Sequence, residues 1–433
     1  SAVIWFLNMN DRFAIYENLK TRRTSVAVIG LGYVGWPVAE AFARHFDVVA
    51  YDISQERINH IKSSSPVKHD TVHFTSDAND LDKASLYIIT VGTPVDELKR
   101  PDLSQLISVT KTVAGHLHHG DYVVYESTVY PGCTDSICIP LLEELSGIKC
   151  GADFKVGYSP ERINPVDMEH TFRNTVKIVS GVDHDTSTML QKIYRHVIQA
   201  DVVCASGIRV AEASKIVENT QRCVNIALMN EMSRLFSQMD INFSEVLDMA
   251  STKWNFVDYR PGLVGGHCIP VDPYYLIAES ARLGLDAPLT KSSCSVNDGM
   301  ANYIVRSLLS ILNSRTSCAP HKVLIMGFTY KANSDDIRNP SVAEMYAIFT
   351  GAGLSVDIID PHADVASVKG TFGIELSAVP SPLYDLIIVT IGHDEYLELD
   401  EDYFIGIARR DAILADIKGI YRNRISKIGY WTL

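Results

Sequence analysis

Residues 25–35 read Ser-Val-Ala-Val-Ile-Gly-Leu-Gly-Tyr-Val-Gly, an apolar run followed by three glycines in the spacing Gly-x-Gly-x-x-Gly. The run predicts a β-strand and the residues after it predict a helix, so the glycines form the turn between them. At such a turn the backbone N–H groups of the helix N-terminus can approach a pyrophosphate. Asp52 ends the next predicted strand, 22 residues after Gly30, where its carboxylate can accept hydrogen bonds from ribose hydroxyls and would repel a 2′-phosphate. The stretch therefore predicts NAD binding and favours NAD over NADP; the alternative is a glycine turn in an α/β fold that binds no cofactor.

The same alternation of short apolar runs and helical stretches continues along the chain. Strands are predicted at 26–29, 48–51, 86–91, 122–125, 323–326, 356–359, 386–389 and 413–417, with helices at 34–46 and 342–352. From Val210 on, apolar residues recur at spacings of seven, four and three, which predicts one long helix. We therefore expect an α/β fold in which two Rossmann-like, doubly wound parallel-sheet domains are joined by a central helical domain with one long helix. The expected boundaries are a tail at 1–24, the first α/β domain at 25–208, the helical domain at 209–318 and the second α/β domain at 319–433.

Composition excludes several classes of protein. Of the 433 residues, 46% are hydrophobic and 21% are charged, which is enough apolar material for buried cores and argues against disorder. The formal net charge of -13, without a local basic patch, argues against nucleic-acid binding, and no apolar run reaches the roughly 18 residues of a membrane-spanning helix. The eight cysteines form no Cys-x-x-Cys pair, so we expect no disulfide framework and no metal site, but reduced thiols in a cytoplasm. Within the expected tail, Met9 is a candidate natural start.

A cysteine flanked by small residues is the first candidate catalytic group. It lies in Gly265-Gly266-His267-Cys268-Ile269-Pro270-Val271-Asp272, where the glycines leave a thiol accessible and a carboxylate follows four positions on. A thiolate is a strong nucleophile, and a neighbouring histidine, a lysine or a helix end promotes its formation. The alternative is a buried apolar cysteine beside a turn.

Two further groups of residues can take part in such chemistry. Lys215 and Asn219 are four apart on one face of the long helix, where Lys215 can act as a general base or stabilise an alkoxide or oxyanion. Glu161 and Arg162 lie in the loop Tyr158-Ser159-Pro160-Glu161-Arg162-Ile163-Asn164-Pro165, where they can activate water and bind an anion. The alternatives are a solvated lysine and an ordinary charged loop.

A last motif follows the first predicted strand of the second α/β domain. It reads Gly327-Phe328-Thr329-Tyr330-Lys331 and continues with Asp335-Asp336-Ile337-Arg338. Ligands collect at the carboxyl ends of parallel strands, and Lys331 and Arg338 suit a nucleotide diphosphate better than a second dinucleotide. An ordinary charged loop is again the alternative.

Together and in this order, these five motifs resemble the UDP-glucose/GDP-mannose dehydrogenase family from residue 25 to the end. The stretches Glu126-Ser127-Thr128-Val129-Tyr130-Pro131-Gly132, 159–165 and 265–276 are similar to its UDP-N-acetylhexosamine 6-dehydrogenase branch, which includes the Vi-antigen and O-antigen enzymes. The UDP-glucose branch usually has Phe-Leu after the loop glutamate, where this chain has Arg162-Ile163, and it also differs at His267, Ile269 and Val271.

The resemblance implies a role for each matching residue. The implied catalytic set is Cys268 as nucleophile, Lys215 and Asn219 as oxyanion stabilisers, Asp272 as the group that positions water and Lys215, Glu161 as the hydrolytic base and Thr128 near the reacting carbon. The implied cofactor-binding set is Gly30, Gly32, Tyr33, Val34, Gly35, Asp52, Arg57, Thr93, Pro94, Ser127, Thr128 and Arg338. The implied substrate-binding set is Glu161, Arg162, Ile163, Lys215, Asn219, Arg222, Tyr259, Arg260, Gly265, Tyr330 and Lys331. In this set Arg260 comes from the neighbouring subunit of a homodimer that forms through the long helix.

Three positions depart from the family pattern. Pro165 stands where UDP-glucose enzymes have a second loop glutamate, and Val166 and Pro270 stand where close relatives commonly have glycine. None of these changes removes a catalytic group, and the resemblance implies a hydrolysis network that is simpler or supplied elsewhere.

The function implied by the resemblance is an NAD-dependent, four-electron oxidation of C6 of UDP-N-acetylglucosamine or UDP-N-acetylgalactosamine to the uronic acid. It would pass through a thiohemiacetal and a thioester on Cys268 and would supply a precursor of a surface polysaccharide. The two epimers differ in one hydroxyl orientation, and no motif distinguishes them. The alternatives are a UDP-glucose 6-dehydrogenase, a two-electron dehydrogenase of the hydroxyacid type, which needs no cysteine nucleophile, and a non-catalytic nucleotide-sugar sensor.

Overall fold

The computed structural model describes residues 14–64, 70–163, 169–266, 268–315, 321–338 and 340–433. Met9, Pro165, Val166 and His267, which were named above, lie outside the described residues. The strands of the described part are β1 (Ser25–Ile29), β2 (Val48–Tyr51), β3 (Val72–Thr75), β4 (Ala84–Ile89), β5 (Tyr122–Tyr125), β6 (Lys155–Tyr158), β7 (Lys177–Gly181), β8 (Val202–Cys204), β9 (Lys322–Met326), β10 (Ser355–Ile359), β11 (Tyr384–Val389), β12 (Ala408–Asp416) and β13 (Gly429–Thr432). Its α-helices are α1 (Ile15–Lys20), α2 (Gly35–Ala43), α3 (Gln55–Ser64), α4 (Ser104–Ala114), α5 (Ile139–Ser146), α6 (His184–Val197), α7 (Ile208–Ser237), α8 (Phe243–Ala250), α9 (Asp272–Arg282), α10 (Pro288–Asp298), α11 (Met300–Arg315), α12 (Pro340–Gly351), α13 (Val365–Phe372), α14 (Asp394–Leu397) and α15 (Glu401–Ile407).

The first sheet has eight strands in the order β3-β2-β1-β4-β5-β6-β7-β8. Its strands pair in parallel except for β6 and β7, which are antiparallel where Gly157 lies opposite Gly181. The chain order reverses between β1 and β4, which lie side by side in the sheet. Ligands of open α/β sheets bind at such a reversal, outside the carboxyl ends of the strands.

The second sheet has five strands in the order β10-β9-β11-β12-β13, and all four of its strand pairs are parallel. Here the chain order reverses between β9 and β11. The central strands β1 and β11 are mainly apolar and almost entirely buried, as expected for parallel sheets covered on both faces. The predicted α/β fold with two parallel-sheet domains and a helical middle is confirmed, and the predicted long helix is α7, which has 30 residues.

The chain divides into two compact units. The first contains the residues up to Glu218 together with Tyr274–Leu283, and the second contains Asn219–Pro273 and Gly284–Leu433. In each unit apolar side chains form one core on each face of the sheet. Ile15 and Leu19 of α1, from the segment expected to be a tail, are buried in one core of the first unit. Among the residues that the structure describes, no helix is long and apolar enough to cross a membrane.

A buried carboxylate closes the turn that follows β9. Oδ2 of Asp360 accepts hydrogen bonds from the backbone N–H groups of Phe328 at 2.6 Å and Thr329 at 2.9 Å, and it lies 3.2 Å from Nε2 of His393. Its Oδ1 accepts from the N–H of His362 at 2.8 Å. Burial raises the pKa of Asp360, but His393 and the N–H groups outweigh burial and hold this pKa well below its usual value. The ionised carboxylate is therefore the form that the fold stabilises.

Replacing Asp360 by Asn should destabilise the second unit. The amide NH₂ of Asn would face donors that need an acceptor, which costs about 2–3 kcal/mol in the free energy of unfolding. The midpoint of thermal unfolding, followed by circular dichroism, should fall by about 5 °C or more. Because the pKa of Asp360 is depressed in the folded state, its stabilisation is complete above the ordinary carboxyl pKa of about 4 and is lost as the pH falls further.

The matched control is Asp402→Asn, which makes the same change on an exposed side chain 3.5 Å from Lys427. Such surface pairs contribute little, so its midpoint should stay within about 1 °C of the unchanged protein. Equal midpoints for the two variants would contradict the role given to Asp360.

Candidate active site

The glycine turn after β1 brings two segments of backbone into close contact. Gly30 has a φ of +92°, in the left-handed region that favours glycine. A Cβ on Gly35 would lie 1.8 Å from the carbonyl oxygen of Gly30 and 2.5 Å from Oγ1 of Thr90, so only glycine fits there. A Cβ on Gly32 would meet nothing within 4 Å. The first and third glycines therefore shape the turn, and the second leaves open space beside it.

Asp52 lies against this turn at the end of β2. Its Oδ2 accepts a hydrogen bond from the N–H of Leu31 at 2.8 Å, and its Oδ1 accepts one from the N–H of Ser54 at 2.9 Å. Each oxygen keeps a lone pair for a ribose hydroxyl. Nε of Arg57 donates to the carbonyl of Leu31 at 2.8 Å, and its guanidinium lies 5.9 Å from the ring centre of Tyr33. Both predicted residues, Asp52 and Arg57, therefore adjoin the glycine turn.

A cavity of about 600 Å³ opens beside these residues. It is lined by Ile29, Gly30, Gly32, Tyr51, Asp52, Ile53, Thr90, Val91, Gly92, Ser104, Gln105, Ser108, Val109 and Thr112. Its volume, the open space at Gly32 and the carboxylate of Asp52 fit an adenine dinucleotide at the reversal of strand order. Sequence reasoning missed the wall that α4 provides. The polar stripe Ser104, Ser108 and Thr112, four apart on a helix, was the signal that could have revealed it.

Hydrogen bonds join the loops that follow β4 and β5. Oγ1 of Thr93 donates to the carbonyl of Thr128 at 2.6 Å, and Oγ of Ser127 donates to the carbonyl of Val91 at 2.7 Å. The hydroxyl of Tyr275 donates to the carbonyl of Thr93 at 3.0 Å. Pro94 follows directly and is half-buried, as is Val34 in the turn before α2. The structure thus brings Thr93, Ser127 and Thr128 together at one edge of the sheet.

A second polar group of the first unit is buried, and sequence reasoning missed most of it. Nζ of Lys177 lies 2.7 Å from Oε2 of Glu126 and 2.7 Å from Oε2 of Glu161. Oε1 of Glu161 accepts the N–H groups of Arg162 at 2.6 Å and Ile163 at 2.5 Å. The hydroxyl of Tyr194 donates to Oε1 of Glu126. We call Glu126, Glu161, Lys177 and Tyr194 the buried carboxylate cluster; a lysine that opens an apolar strand was the only sequence signal for it.

The charges of this cluster shift one another's ionisation. Burial raises the pKa of Glu126 to about 7 even though Lys177 lies beside it. Burial also raises the pKa of Glu161, but the Lys177 cation outweighs burial, so the pKa of Glu161 lies below its usual value. Burial lowers the pKa of Lys177, and the two carboxylates outweigh that effect and raise it. At neutral pH Lys177 and Glu161 are therefore ionised, and Glu126 titrates near neutrality.

Lys215 and Arg162 adjoin the same loop. Nζ of Lys215, which is buried, donates to the backbone carbonyl of Glu161 at 2.5 Å. The guanidinium of Arg162 is half-buried and forms an ion pair with Glu218, one turn after Lys215 on α7. The half-buried Ile163 packs against a core of the first unit. The loop after β6 is thus held to α7 by one hydrogen bond and one ion pair.

The second unit holds the candidate nucleophile at a helix N-terminus. The carbonyl of Cys268 accepts the N–H groups of Val271 at 3.1 Å and Asp272 at 2.8 Å, which begins α9. The side chain of Cys268 is exposed, whereas Asp272 and Asn219 are buried. Nδ2 of Asn219 donates to Oδ2 of Asp272 at 2.5 Å. The alternative of a buried apolar cysteine is therefore wrong, and an accessible thiol lies four residues before the buried carboxylate of Asp272, which is hydrogen-bonded to Asn219.

The glycine before this cysteine lies against the predicted diphosphate loop. Gly266 has a φ of +83°, and a Cβ there would lie 2.7 Å from the ring of Tyr330. The N–H of Gly266 donates to the carbonyl of Arg338 at 3.0 Å. The guanidinium of Arg338 pairs with both oxygens of Asp336, a carboxyl whose pKa burial raises to about 6. Within the second unit the structure therefore brings together the cysteine segment, Tyr330 and Arg338, with Lys331 half-buried beside them.

Arg260 lies elsewhere in the second unit and is largely exposed. Its guanidinium pairs with Asp258 at 2.7 Å and with Asp248 at 3.2 Å, and Asp248 also pairs with Arg422. Tyr259 and Gly265 are half-buried and Arg222 is exposed. No described contact joins Arg260 to Cys268 or Tyr330 within this chain, so the structure does not bring all the predicted substrate residues together.

Three family models match the chain in the order of its domains. They are the NAD binding domain of the UDP-glucose/GDP-mannose dehydrogenase family at residues 24–198, its central domain at 209–299 and its UDP binding domain at 324–423. The Asp52 turn and the cavity lie in the first range, Lys215, Asn219, Cys268 and Asp272 lie in the second, and Tyr330 lies in the third.

Individual relatives agree with these matches. The chain is 41% identical to UDP-N-acetyl-D-glucosamine 6-dehydrogenase of Salmonella typhi over 405 residues, which are 91% of this chain and 95% of the relative. It is 40% identical to the protein of the same name from Pseudomonas aeruginosa, over 91% of this chain and 96% of that one. A solved structure of a UDP-D-ManNAc dehydrogenase from Pyrococcus horikoshii superimposes with a TM-score of 0.83 at 29% identity, covering 94% of this chain and 98% of the other. By its three domains and its relatives, the chain belongs to the UDP-glucose/GDP-mannose dehydrogenase family.

Proposed function

We propose that this chain is an NAD-dependent 6-dehydrogenase of a UDP-N-acetylhexosamine, with UDP-N-acetylglucosamine as its principal sugar substrate. The observation that carries the proposal is the exposed Cys268 at the N-terminus of α9, four residues before the buried Asp272, which accepts a hydrogen bond from Asn219. A two-electron alcohol dehydrogenase needs no nucleophile, whereas a thiol can hold an aldehyde for a second oxidation. The two relatives at 40% and 41% identity carry the name UDP-N-acetyl-D-glucosamine 6-dehydrogenase, which supports this substrate class.

The cofactor would occupy the cavity beside Asp52. Its ribose hydroxyls would bond to Asp52, and its pyrophosphate would lie against Gly32 and the N-terminus of α2. Tyr33, Val34, Gly35, Arg57, Thr93, Pro94, Ser127 and Thr128 would complete this site, and Arg338 would reach toward it. When bound, NAD supplies the acceptor for the hydride that leaves C6 of the sugar in each oxidation.

Three residues would manage charge in the first oxidation. The ammonium of Lys215 and the amide of Asn219 would stabilise the negative charge that develops on the C6 oxygen. Asp272, which accepts a hydrogen bond from Asn219, would position the water that receives the hydroxyl proton. Thr128 would lie near the reacting carbon.

The cysteine would act in the second half of the reaction. The sulfur of Cys268 adds to the aldehyde carbon to give a thiohemiacetal, and its oxidation leaves a thioester on the same sulfur. Glu161 then takes a proton from water, the water oxygen forms a bond to the carbonyl carbon, and the carbon–sulfur bond breaks to release the thiolate of Cys268. The product is the uronic acid.

The substrate would bind mainly to the second unit. Tyr330 and Lys331 would hold the uridine diphosphate at the carboxyl end of β9, beside Gly265 and the cysteine segment. Arg162, Ile163, Arg222 and Tyr259 are further proposed contacts. The chain also turns over UDP-N-acetylgalactosamine if neither orientation of the 4-hydroxyl leaves a buried group unpaired.

We also propose that the chain forms a homodimer through α7. Val210, Val217, Leu228 and Leu235 are exposed on this helix at spacings of seven, eleven and seven, although each is apolar. An exposed apolar stripe of this kind is typical of a helix that packs against a partner. Arg260 is exposed and, among the described residues, pairs with Asp248 and Asp258; in the proposed dimer it would contact the neighbouring site. We further propose an NAD-binding domain at 25–208, a dimerisation and catalytic domain at 209–318 and a UDP-sugar-binding domain at 319–433. We also propose that the chain works in a cytoplasm, which keeps its thiols reduced.

The first experiment counts NADH. With excess NAD and limiting UDP-N-acetylglucosamine, absorbance should show two NADH per sugar, because an alcohol loses four electrons on its way to an acid. UDP-N-acetylgalactosamine and UDP-glucose serve as comparison substrates in separate cuvettes, and UDP-glucose should react little. One NADH per sugar would identify a two-electron dehydrogenase, and none with any of the three would favour a nucleotide-sugar sensor.

Replacing Cys268 by Ser should stop formation of the uronic acid. A hydroxyl is a much weaker nucleophile than a thiolate, so we expect kcat for acid production to fall about a thousandfold or more. NAD binding, measured by fluorescence titration, should be unchanged. Cys204→Ser alters another exposed cysteine, in the first unit, and should retain full activity; acid production at the normal rate by the Cys268 variant would refute the mechanism.

A mixed dimer tests whether Arg260 serves the partner's site. Arg260→Ala and Cys268→Ser chains, each inactive alone, are co-expressed with different tags and purified as the heterodimer. In the mixed dimer, one site combines the Cys268 of the Arg260→Ala chain with the intact Arg260 of the other chain, and the second site lacks both. About half of the unchanged dimer's activity should therefore return. Light scattering on the unmixed protein should give twice the mass of one chain. A mixed dimer no more active than its parents would show that Arg260 does not act across the interface.

A further inference from the structure

The buried carboxylate cluster contains more charge than the proposed hydrolysis requires. Glu161 alone could take a proton from water, yet a second carboxylate, Glu126, contacts the same ammonium of Lys177 at the same distance of 2.7 Å. Both carboxylates and Lys177 are less than one-tenth exposed. Burying two carboxylates against one ammonium is unfavourable, because one negative charge lacks a full counter-charge in a poorly solvated interior. Stability alone therefore does not explain this arrangement, and a functional explanation is needed.

The two partners of Glu161 act on its proton affinity in opposite directions. The Lys177 cation stabilises the ionised carboxylate and keeps Glu161 able to accept a proton. The negative charge of Glu126, which contacts the same ammonium, makes proton uptake by Glu161 more favourable. The hydroxyl of Tyr194 donates to Glu126 and so favours its ionised form. Between these two influences Glu161 stays ionised at neutral pH and so can accept a proton, and the charge of Glu126 keeps it a stronger base than Lys177 alone would leave it.

We propose that Glu126 and Lys177 are positioning residues for the hydrolysis of the thioester, setting the ionisation and the proton affinity of Glu161. This inference rests on the proposed function, in which Glu161 accepts the proton of the attacking water. As Glu161 becomes neutral, Lys177 keeps its counter-charge on Glu126, so no uncompensated cation is left in the interior. Neither residue exchanges atoms with the substrate.

Other charged groups also face Glu161, and each is accounted for. From α7, Lys215 donates to the backbone carbonyl of Glu161 rather than to its carboxylate. On its own loop, Arg162 offers its N–H to the carboxylate, and its guanidinium is neutralised by Glu218. The ring of Phe172 packs 4.9 Å from Nζ of Lys177 and carries no charge. Among the described residues, the cluster members are therefore the charged side chains that bear directly on the Glu161 carboxylate.

The test compares Glu126→Gln and Lys177→Met by the pH dependence of kcat. Without the charge of Glu126, Glu161 becomes a weaker base, so kcat should fall about tenfold or more. The acid limb of the profile should move about one pH unit lower. Without Lys177, Glu161 is harder to ionise, so the acid limb should move about one unit higher and activity should recover at alkaline pH. KM for the sugar should change little in both variants.

A second readout follows the covalent intermediate directly. If hydrolysis alone is slowed, Glu126→Gln should release a burst of two NADH per chain, and intact mass of the quenched enzyme should show an acyl group on Cys268. Tyr194→Phe keeps every charge and should shift the profile in the same direction as Glu126→Gln by a smaller amount, which keeps the test valid if a charge variant does not fold. Lys155→Met is the matched control, because it makes the same change at a lysine that begins another strand of the same sheet and pairs with Asp183 at 2.7 Å.

The outcomes separate the two proposals. Opposite shifts of the acid limb together with a trapped acyl group support the positioning role. If the unchanged enzyme makes two NADH per sugar but the variants leave the profile unshifted, or lose activity without an acyl group, this inference is wrong and the proposed function stands. If the unchanged enzyme makes no NADH, the proposed function fails, and the inference fails with it.

Discussion

A threonine hydroxyl fixes the glycine turn of each sheet, and the placement of both binding regions depends on it. In the first sheet Thr90 donates to the carbonyl of Gly30 at 2.8 Å, and in the second Thr390 donates to the carbonyl of Gly327 at 2.7 Å. Both glycines have positive φ, +92° and +102°, so both turns need the freedom of glycine. In each sheet the threonine follows the strand beside the reversal of chain order. The two units therefore use one local construction, although their sequences share no readable repeat.

The same construction gives two different sites because the carboxylate beside the turn has different surroundings in the two sheets. Asp52, after β2, accepts backbone N–H groups and is half-buried at the edge of an open cavity. Asp360, after β10, is saturated by N–H groups and by the buried His393. A ribose could reach the first carboxylate but not the second. The second turn thus favours a ligand held by Tyr330 and Lys331 over a second dinucleotide, in agreement with the UDP binding domain that matches there.

Local signals predicted most of the fold and part of the candidate site. Apolar runs located strands such as β2 and β5 to the residue, because parallel strands buried on both faces are uniformly apolar. Spacing predicted the glycine turn and Asp52, and flanking glycines singled out the segment of Cys268, whose role was implied by the family resemblance. The cluster of Glu126 and Lys177 could not be found in this way, because its members lie 51 residues apart and meet only through the order of strands in the sheet. The wall that α4 gives to the cavity is different, because the polar stripe Ser104, Ser108 and Thr112 was a local signal for it.

The buried carboxylate cluster is better explained by chemistry than by stability. A buried ion pair contributes little to folding, because desolvating the charges offsets their attraction, and apolar side chains of similar volume often stabilise a fold as well or better. Here the lysine already lies against the rings of Phe172 and Tyr194, where an apolar side chain would pack readily. The backbone N–H groups of Arg162 and Ile163 also fix the Glu161 carboxylate in place without any help from Lys177. Position alone therefore requires neither Lys177 nor Glu126, and what these two residues add is control over the charge of Glu161.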